Sequence, residues 1–184
     1  MHWLTNSKAG VKTPAFLINI SSPQKKIMKP NIEISDSHLK EVATLLNKLL
    51  ADEYVLYTKT KNAHWNIQGP TFMELHAFFQ SQYETLDIMV DDIAERVRSL
   101  GHFALGSLKN FLSITSMLEN DEDFGNQKQI IQTLLNDHET IVRIIRNDLV
   151  PVSDKYKDLG TTDFITGVMK QHEKMTWMLR AYLG

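Results

Sequence analysis

The sequence predicts an all-α protein: four long helices in a bundle, one long crossover carrying a short helix, and an N-terminal extension. Three observations predict it. Apolar residues recur at helical spacing through most of residues 35–184, and no run alternates with the period of two that a strand requires. Clusters of Gly, Pro and turn residues cut that periodic stretch into four pieces. The connection between the second and third pieces, residues 101–121, is long enough to run from one end of a bundle to the other.

Residues 1–34 hold Gly10, Pro14, Pro23 and Pro30 and no amphipathic period, so they read as an extension to a body at 35–184. Ser35 or Asp36 can cap the first helix. Leu39, Val42, Leu45, Leu46, Leu49 and Leu50 then follow helical spacing, and the pattern runs to about His64. Asn66 to Pro70 is a turn. Thr71 and Glu74 have the spacing of a capping box opening the second helix, which runs to about Leu100 and stops at Gly101. Leu108 to Leu112 is a candidate short helix. A third helix spans roughly 124–157, where Pro151 should kink it or end it early. Gly160, Thr161 and Thr162 read as the next break, and a last helix runs from about Asp163 to Tyr182. This is the connectivity of ferritin-like bundles.

The chain of 184 residues is long enough to bury its own core as one domain. It contains no cysteine, which excludes a disulfide framework, thiolate metal sites and a cysteine nucleophile. No apolar stretch approaches the ~18 residues of a membrane span, and Ala15 to Ile20 is too short for a signal-peptide core. The chain therefore reads as cytoplasmic. Residues 1–32 carry Lys8, Lys12, Lys25, Lys26 and Lys29 and no acidic residue, so a +5 arm precedes a body of −7 in a chain of net −2. Such an arm is a candidate DNA or anionic-surface tether, which would associate the protein with the nucleoid; a solubilising tail or a cloning remnant is the alternative.

Five positions carry the chemistry: His64, His76, Gln80, Asp91 and Glu95. His76 and Gln80 lie four apart, as do Asp91 and Glu95, so each pair projects from one helix face. Imidazole and carboxylate suit iron. The two pairs are 15 residues apart, which is ~22 Å along a helix. One chain cannot bring both to one metal, whereas two antiparallel copies of the helix about a two-fold axis can. None of the seven histidines has Glu three residues before it, which disfavours the intrachain Glu-x-x-His di-iron arrangement. Spacing alone leaves metal binding and an ordinary solvated helix face both open.

The segment KNAHWNIQGP (Lys61 to Pro70), then Glu74-Leu75-His76, then Asp91-Asp92-Ile93-Ala94-Glu95-Arg96 resembles the Dps family, the DNA-binding proteins from starved cells or mini-ferritins. The likeness extends over about residues 36–183. It implies a shell of twelve subunits with ferroxidase sites at two-fold interfaces, where Fe(II) is oxidised, preferably by hydrogen peroxide, and stored as ferric mineral. It implies His64 and His76 as iron ligands from one subunit and Asp91 and Glu95 from its partner, with Glu95 the strongest or bridging ligand. Trp65 matches the family and is a candidate radical trap, or else an interface aromatic.

One position departs from the family. Four residues after His76 the family has Asp or Glu, and this chain has Gln80. A neutral amide oxygen is a weaker iron ligand, so the departure bears on the second iron position. It leaves open a mainly DNA-binding or structural shell with an impaired iron site. Glu84, Asp87 and Asp91 share a helix face that can seed mineral or simply be solvated. Glu119, Asp121, Glu122 and Asp123 form an acidic cluster that can line a pore or complement a helix dipole. His2, His38, His102, His138 and His172 match no ligand pattern and read as surface or packing residues.

Overall fold

The computed structural model describes residues 29–119 and 126–184. Four of the arm's lysines, Lys8, Lys12, Lys25 and Lys26, lie outside these residues, as do Asp121, Glu122 and Asp123 of the acidic cluster. The elements are α1 (Asp36–Asn66), α2 (Phe72–Ser99), α3 (Leu108–Ile114), α4 (Gln127–Ile144), a π-helical turn (Ile145–Leu149), α5 (Val150–Lys155) and α6 (Leu159–Leu183). There is no strand among the described residues. α1 packs along α2 and α4 along α6, while α3 lies on α1. The core between the two pairs is built from Leu46, Leu49, Leu56, Phe79, Leu86, Ile93, Leu134, Ile141, Ile165 and Leu179, all fully buried. Each such side chain contributes roughly 1.5–3 kcal/mol of burial.

Ser35 caps α1 by accepting from the His38 backbone N–H. The expected capping box at Thr71 does not form. Thr71 occupies the N-cap position, but its hydroxyl donates to Gln127 Oε1 at 2.9 Å instead. Gly69, with φ +117°, lies against the same Gln127 side chain, and a Cβ there would approach Nε2 to 2.9 Å. A long-range contact has therefore taken over the hydroxyl that the local motif would use, and it docks the α1–α2 turn onto the start of α4. The box appears at α4 instead, where Asn126 and Gln129 cap each other.

The crossover is strapped to α1 by three polar residues. Asn47 accepts from the Leu105 N–H at 2.8 Å, and its amide donates to the Phe103 carbonyl. Asp52 accepts from the Thr115 hydroxyl at 2.8 Å and the Ser116 N–H at 2.5 Å. Lys59 donates to the Leu118 carbonyl at 3.0 Å. These bonds tie backbone groups of the crossover, most of them at exposed residues, to α1.

The expected third helix is interrupted near Pro151, as its missing N–H requires. The interruption takes the form of a π turn rather than an end, with the Val150 N–H reaching back to the Ile145 carbonyl. The break before the last helix is not at Gly160. It falls at Lys157, with φ 58°, and Asp158 caps α6 by accepting from the Thr161 N–H at 3.0 Å. Gly160 lies inside the first turn because Arg96 packs there: a Cβ would sit 3.0 Å from its guanidinium. Arg96 binds Asp158 at 2.9 Å and Thr161 Oγ1 at 2.9 Å, pinning the C-terminal end of α2 to α6.

Candidate metal centre

His64 ends α1 and His76 lies in the second turn of α2, so the tight turn between them folds one ring onto the other. The rings stack at 3.7 Å with 22° between their planes. Their hydrogen bonds are reciprocal. His64 Nδ1 lies 2.8 Å from the His76 carbonyl, and His76 Nδ1 lies 2.9 Å from the His64 carbonyl. A carbonyl only accepts, so each Nδ1 carries a proton, and Nε2 is the nitrogen through which the neutral ring can ligate. Fixing the tautomer through the remote nitrogen is the way ligating histidines are usually oriented. Phe72 packs on His76 at 5.1 Å and Tyr83 sets its edge to His64 at 5.3 Å, which holds the stack from two sides.

Asp91 and Glu95 lie one turn apart on α2 and are both exposed. Arg96, beside Glu95, faces away to Asp158, so it anchors this end of the helix without neutralising Glu95. The imidazoles and these carboxylates are separated along α2 by ~22 Å, and among the described residues no three His, Asp or Glu side chains converge as a metal cluster. The structure brings the two histidines together and leaves the two carboxylates as a separate group.

Gln80 is exposed, and its Nε2 donates to Glu84 Oε1 at 2.8 Å. That bond orients the amide and leaves its oxygen as the only donor atom for a cation. It also engages one oxygen of Glu84. Trp65 is 63% exposed, with the Lys61 ammonium 5.7 Å from its ring. Of the lysine arm, Lys29 pairs with Asp36, both largely exposed.

Two features escaped the sequence reading. Lys61 sits among Tyr57, Trp65 and Tyr83. In the bundle core, Glu53, His138 and His172 are fully buried and joined: His172 Nε2 lies 2.7 Å from Glu53 Oε1, and His138 Nδ1 lies 2.8 Å from His172 Nδ1. His138 and His172 are packing residues, as expected, but polar ones. The single local signal was the acidic pair Asp52-Glu53 inside an otherwise largely apolar stretch of α1.

The fold and the donor arrangement define a ferritin-like helical bundle. The ferritin-like domain family matches residues 43–184. A low temperature-induced protein of Nostoc sp. is 40% identical over 153 residues, covering 83% of this chain and 86% of the relative. DNA protection during starvation protein 2 of Bacillus anthracis is 32% identical over 79% of this chain and 98% of its own length. The Dps protein of Vibrio cholerae O1 superposes with a TM-score of 0.80 at 29% identity, covering 85% of this chain and 97% of that one. The Bacillus brevis Dps gives 0.77 at 32% identity, covering 82% and 100%. This chain belongs to the Dps family of ferritin-like proteins.

Proposed function

We propose that the protein is a mini-ferritin that oxidises Fe(II), preferably with hydrogen peroxide, and stores ferric iron inside a dodecameric shell. The observation that carries this reading is the division of donors: two stacked imidazoles held through Nδ1 by backbone carbonyls in one group, and in another two exposed carboxylates with no ion pair among the described residues. Imidazole nitrogen and carboxylate oxygen fit Fe(II), which prefers a mixed N and O set. Two copies about a two-fold axis would set His64 and His76 of one against Asp91 and Glu95 of the other. Glu95 would be the strongest ligand, since a carboxylate can chelate or bridge. The part-buried bonds of both histidines to backbone carbonyls keep the donors aimed while iron enters and leaves as substrate. Hydrogen peroxide accepts two electrons, so its reduction with two ferrous ions releases no hydroxyl radical. The shell would act in the cytoplasm, and removing iron and peroxide together would spare DNA.

The test is complementation between variants. His76→Ala and Glu95→Ala should each lose fast iron oxidation by peroxide. Co-assembled hybrids should recover part of it, because some interfaces then hold one intact site. Hybrids that assemble normally and recover nothing would sink the shared site. Assembly is read by light scattering, where twelve chains of 21.2 kDa give about 254 kDa.

A second reading is a mainly DNA-binding or structural shell with an impaired iron site. Gln80 favours it, because a neutral amide oxygen stands where the family has a carboxylate. The five-lysine arm would then hold DNA through phosphate contacts, with affinity falling steeply as salt rises. Retardation of plasmid DNA by the full chain, and by a form starting at Asn31, separates the two roles.

A further inference from the structure

A chain of aromatic rings leads away from the histidine stack. Tyr83 meets His64 edge-on at 5.3 Å, Tyr57 meets Tyr83 edge-on at 6.3 Å, and Tyr54 lies 5.8 Å beyond Tyr57. All three tyrosines are half-buried, whereas Trp65, the sequence neighbour of His64, is 63% exposed. Lys61 serves the middle of the chain. Its ammonium donates to the Tyr57 hydroxyl oxygen at 3.0 Å and lies 5.1 and 5.2 Å from the Tyr57 and Tyr83 ring centres.

We propose that Tyr83 and Tyr57 form a one-electron store wired to the ferroxidase site through His64, supplying the second electron of peroxide reduction when a single ferrous ion is bound. The inference rests on the ferroxidase reading above and deepens it. Its motive is Gln80. A neutral amide already bonded to Glu84 holds a second iron weakly, so peroxide meets one ferrous ion more often than two. One Fe(II) supplies one electron, and cleavage of the O–O bond needs two. With Tyr83 as the other donor, Fe(II), H2O2 and TyrOH become Fe(III), a neutral tyrosyl radical, one water and one hydroxide. The phenol proton goes to an oxygen released from the peroxide. A second Fe(II) then returns an electron to the radical, which takes up a proton and becomes tyrosine again. Two iron atoms are consumed per peroxide, one after the other, and no free hydroxyl radical leaves the site. Lys61 makes Tyr57 the better resting place for the radical, because its hydrogen bond to the phenolic oxygen survives loss of the phenol's own proton. Tyr83 and Tyr57 touch no substrate; both act through His64.

The experiment loads the full-length assembled protein with one Fe(II) per chain, adds hydrogen peroxide, and freeze-quenches samples for electron paramagnetic resonance. Ferric product is followed by absorbance in parallel. A tyrosyl signal should form with the ferric product and vanish on further Fe(II). Tyr83→Phe should lose it, Tyr57→Phe should change its hyperfine pattern, and Trp65→Phe should retain it. Ferric product formed without a tyrosyl radical overturns this inference alone. A radical lost only in Trp65→Phe also overturns it. Absence of ferric product overturns the ferroxidase reading, and this one with it.

Discussion

The molecule contains two histidine pairs with opposite fates. His64 and His76 tie their Nδ1 protons to each other's backbone carbonyls and keep both Nε2 atoms free. His138 and His172 spend their nitrogens on side chains: Nδ1 faces Nδ1, and His172 Nε2 faces Glu53. His138 Nε2 and Glu53 Oε2 are buried without a partner among the described residues. The first pair is held by backbone and can ligate outward. The second is held by side chains across three helices and cross-links α1, α4 and α6. Residue type does not distinguish a pair able to ligate outward from a structural one; burial and the groups that engage the ring nitrogens do.

Exchanging the losses gives the sharpest break of this comparison. His76→Ala should cost iron oxidation more than the roughly 10–100-fold typical of losing an outer-shell partner, with little change in melting temperature. Glu53→Ala should do the reverse. It leaves His172 buried without its partner, which costs about 1–3 kcal/mol by denaturant titration while the folded protein still oxidises iron. Equal effects of both variants on iron oxidation would mean that the core pair also handles iron.

A smaller effect sharpens the outer pair. Gln80→Glu restores a carboxylate four residues after His76 and should tighten the weaker iron about tenfold, or 1.4 kcal/mol, by competition with a chelator. No change in the second binding step would show that the amide is not the limiting ligand.

The smallest concerns acid. Burial, and then the neighbouring His172, hold the His138 imidazole well below its ordinary value of 6.5. The unfolded chain therefore takes up this proton first. The stability His138 contributes is present above about pH 6.5 and is lost as pH falls through that value towards its lower folded one. Burial pushes Asp52 and Asp137 up from 3.8, so in more acid solution they act with the opposite sign, the native state taking up protons first. Urea midpoints should fall from about pH 7 to pH 5.5, and His138→Gln should flatten that slope. A slope unchanged by the substitution would assign the loss to another group.

Much of this was legible in the sequence. The i, i+4 spacing places His76 with Gln80 and Asp91 with Glu95 on helix faces because helical geometry is local. Pro151 announces the interruption that becomes a π turn, for the local reason that it lacks an N–H. That His64 and His76 act together from one subunit was implied by the family resemblance and not by their spacing. The tertiary structure alone decided the rest. Thr71 left its capping box for Gln127, and Gly160 entered a helix because Arg96, 64 residues earlier, needed the space of a Cβ. Glu53 lies 119 residues from His172, and no periodicity encodes which buried polar groups find each other at that distance. Local patterns state what each segment can offer. Buried polar groups take whichever partners the packing brings within reach, because going without one costs about 1–3 kcal/mol each.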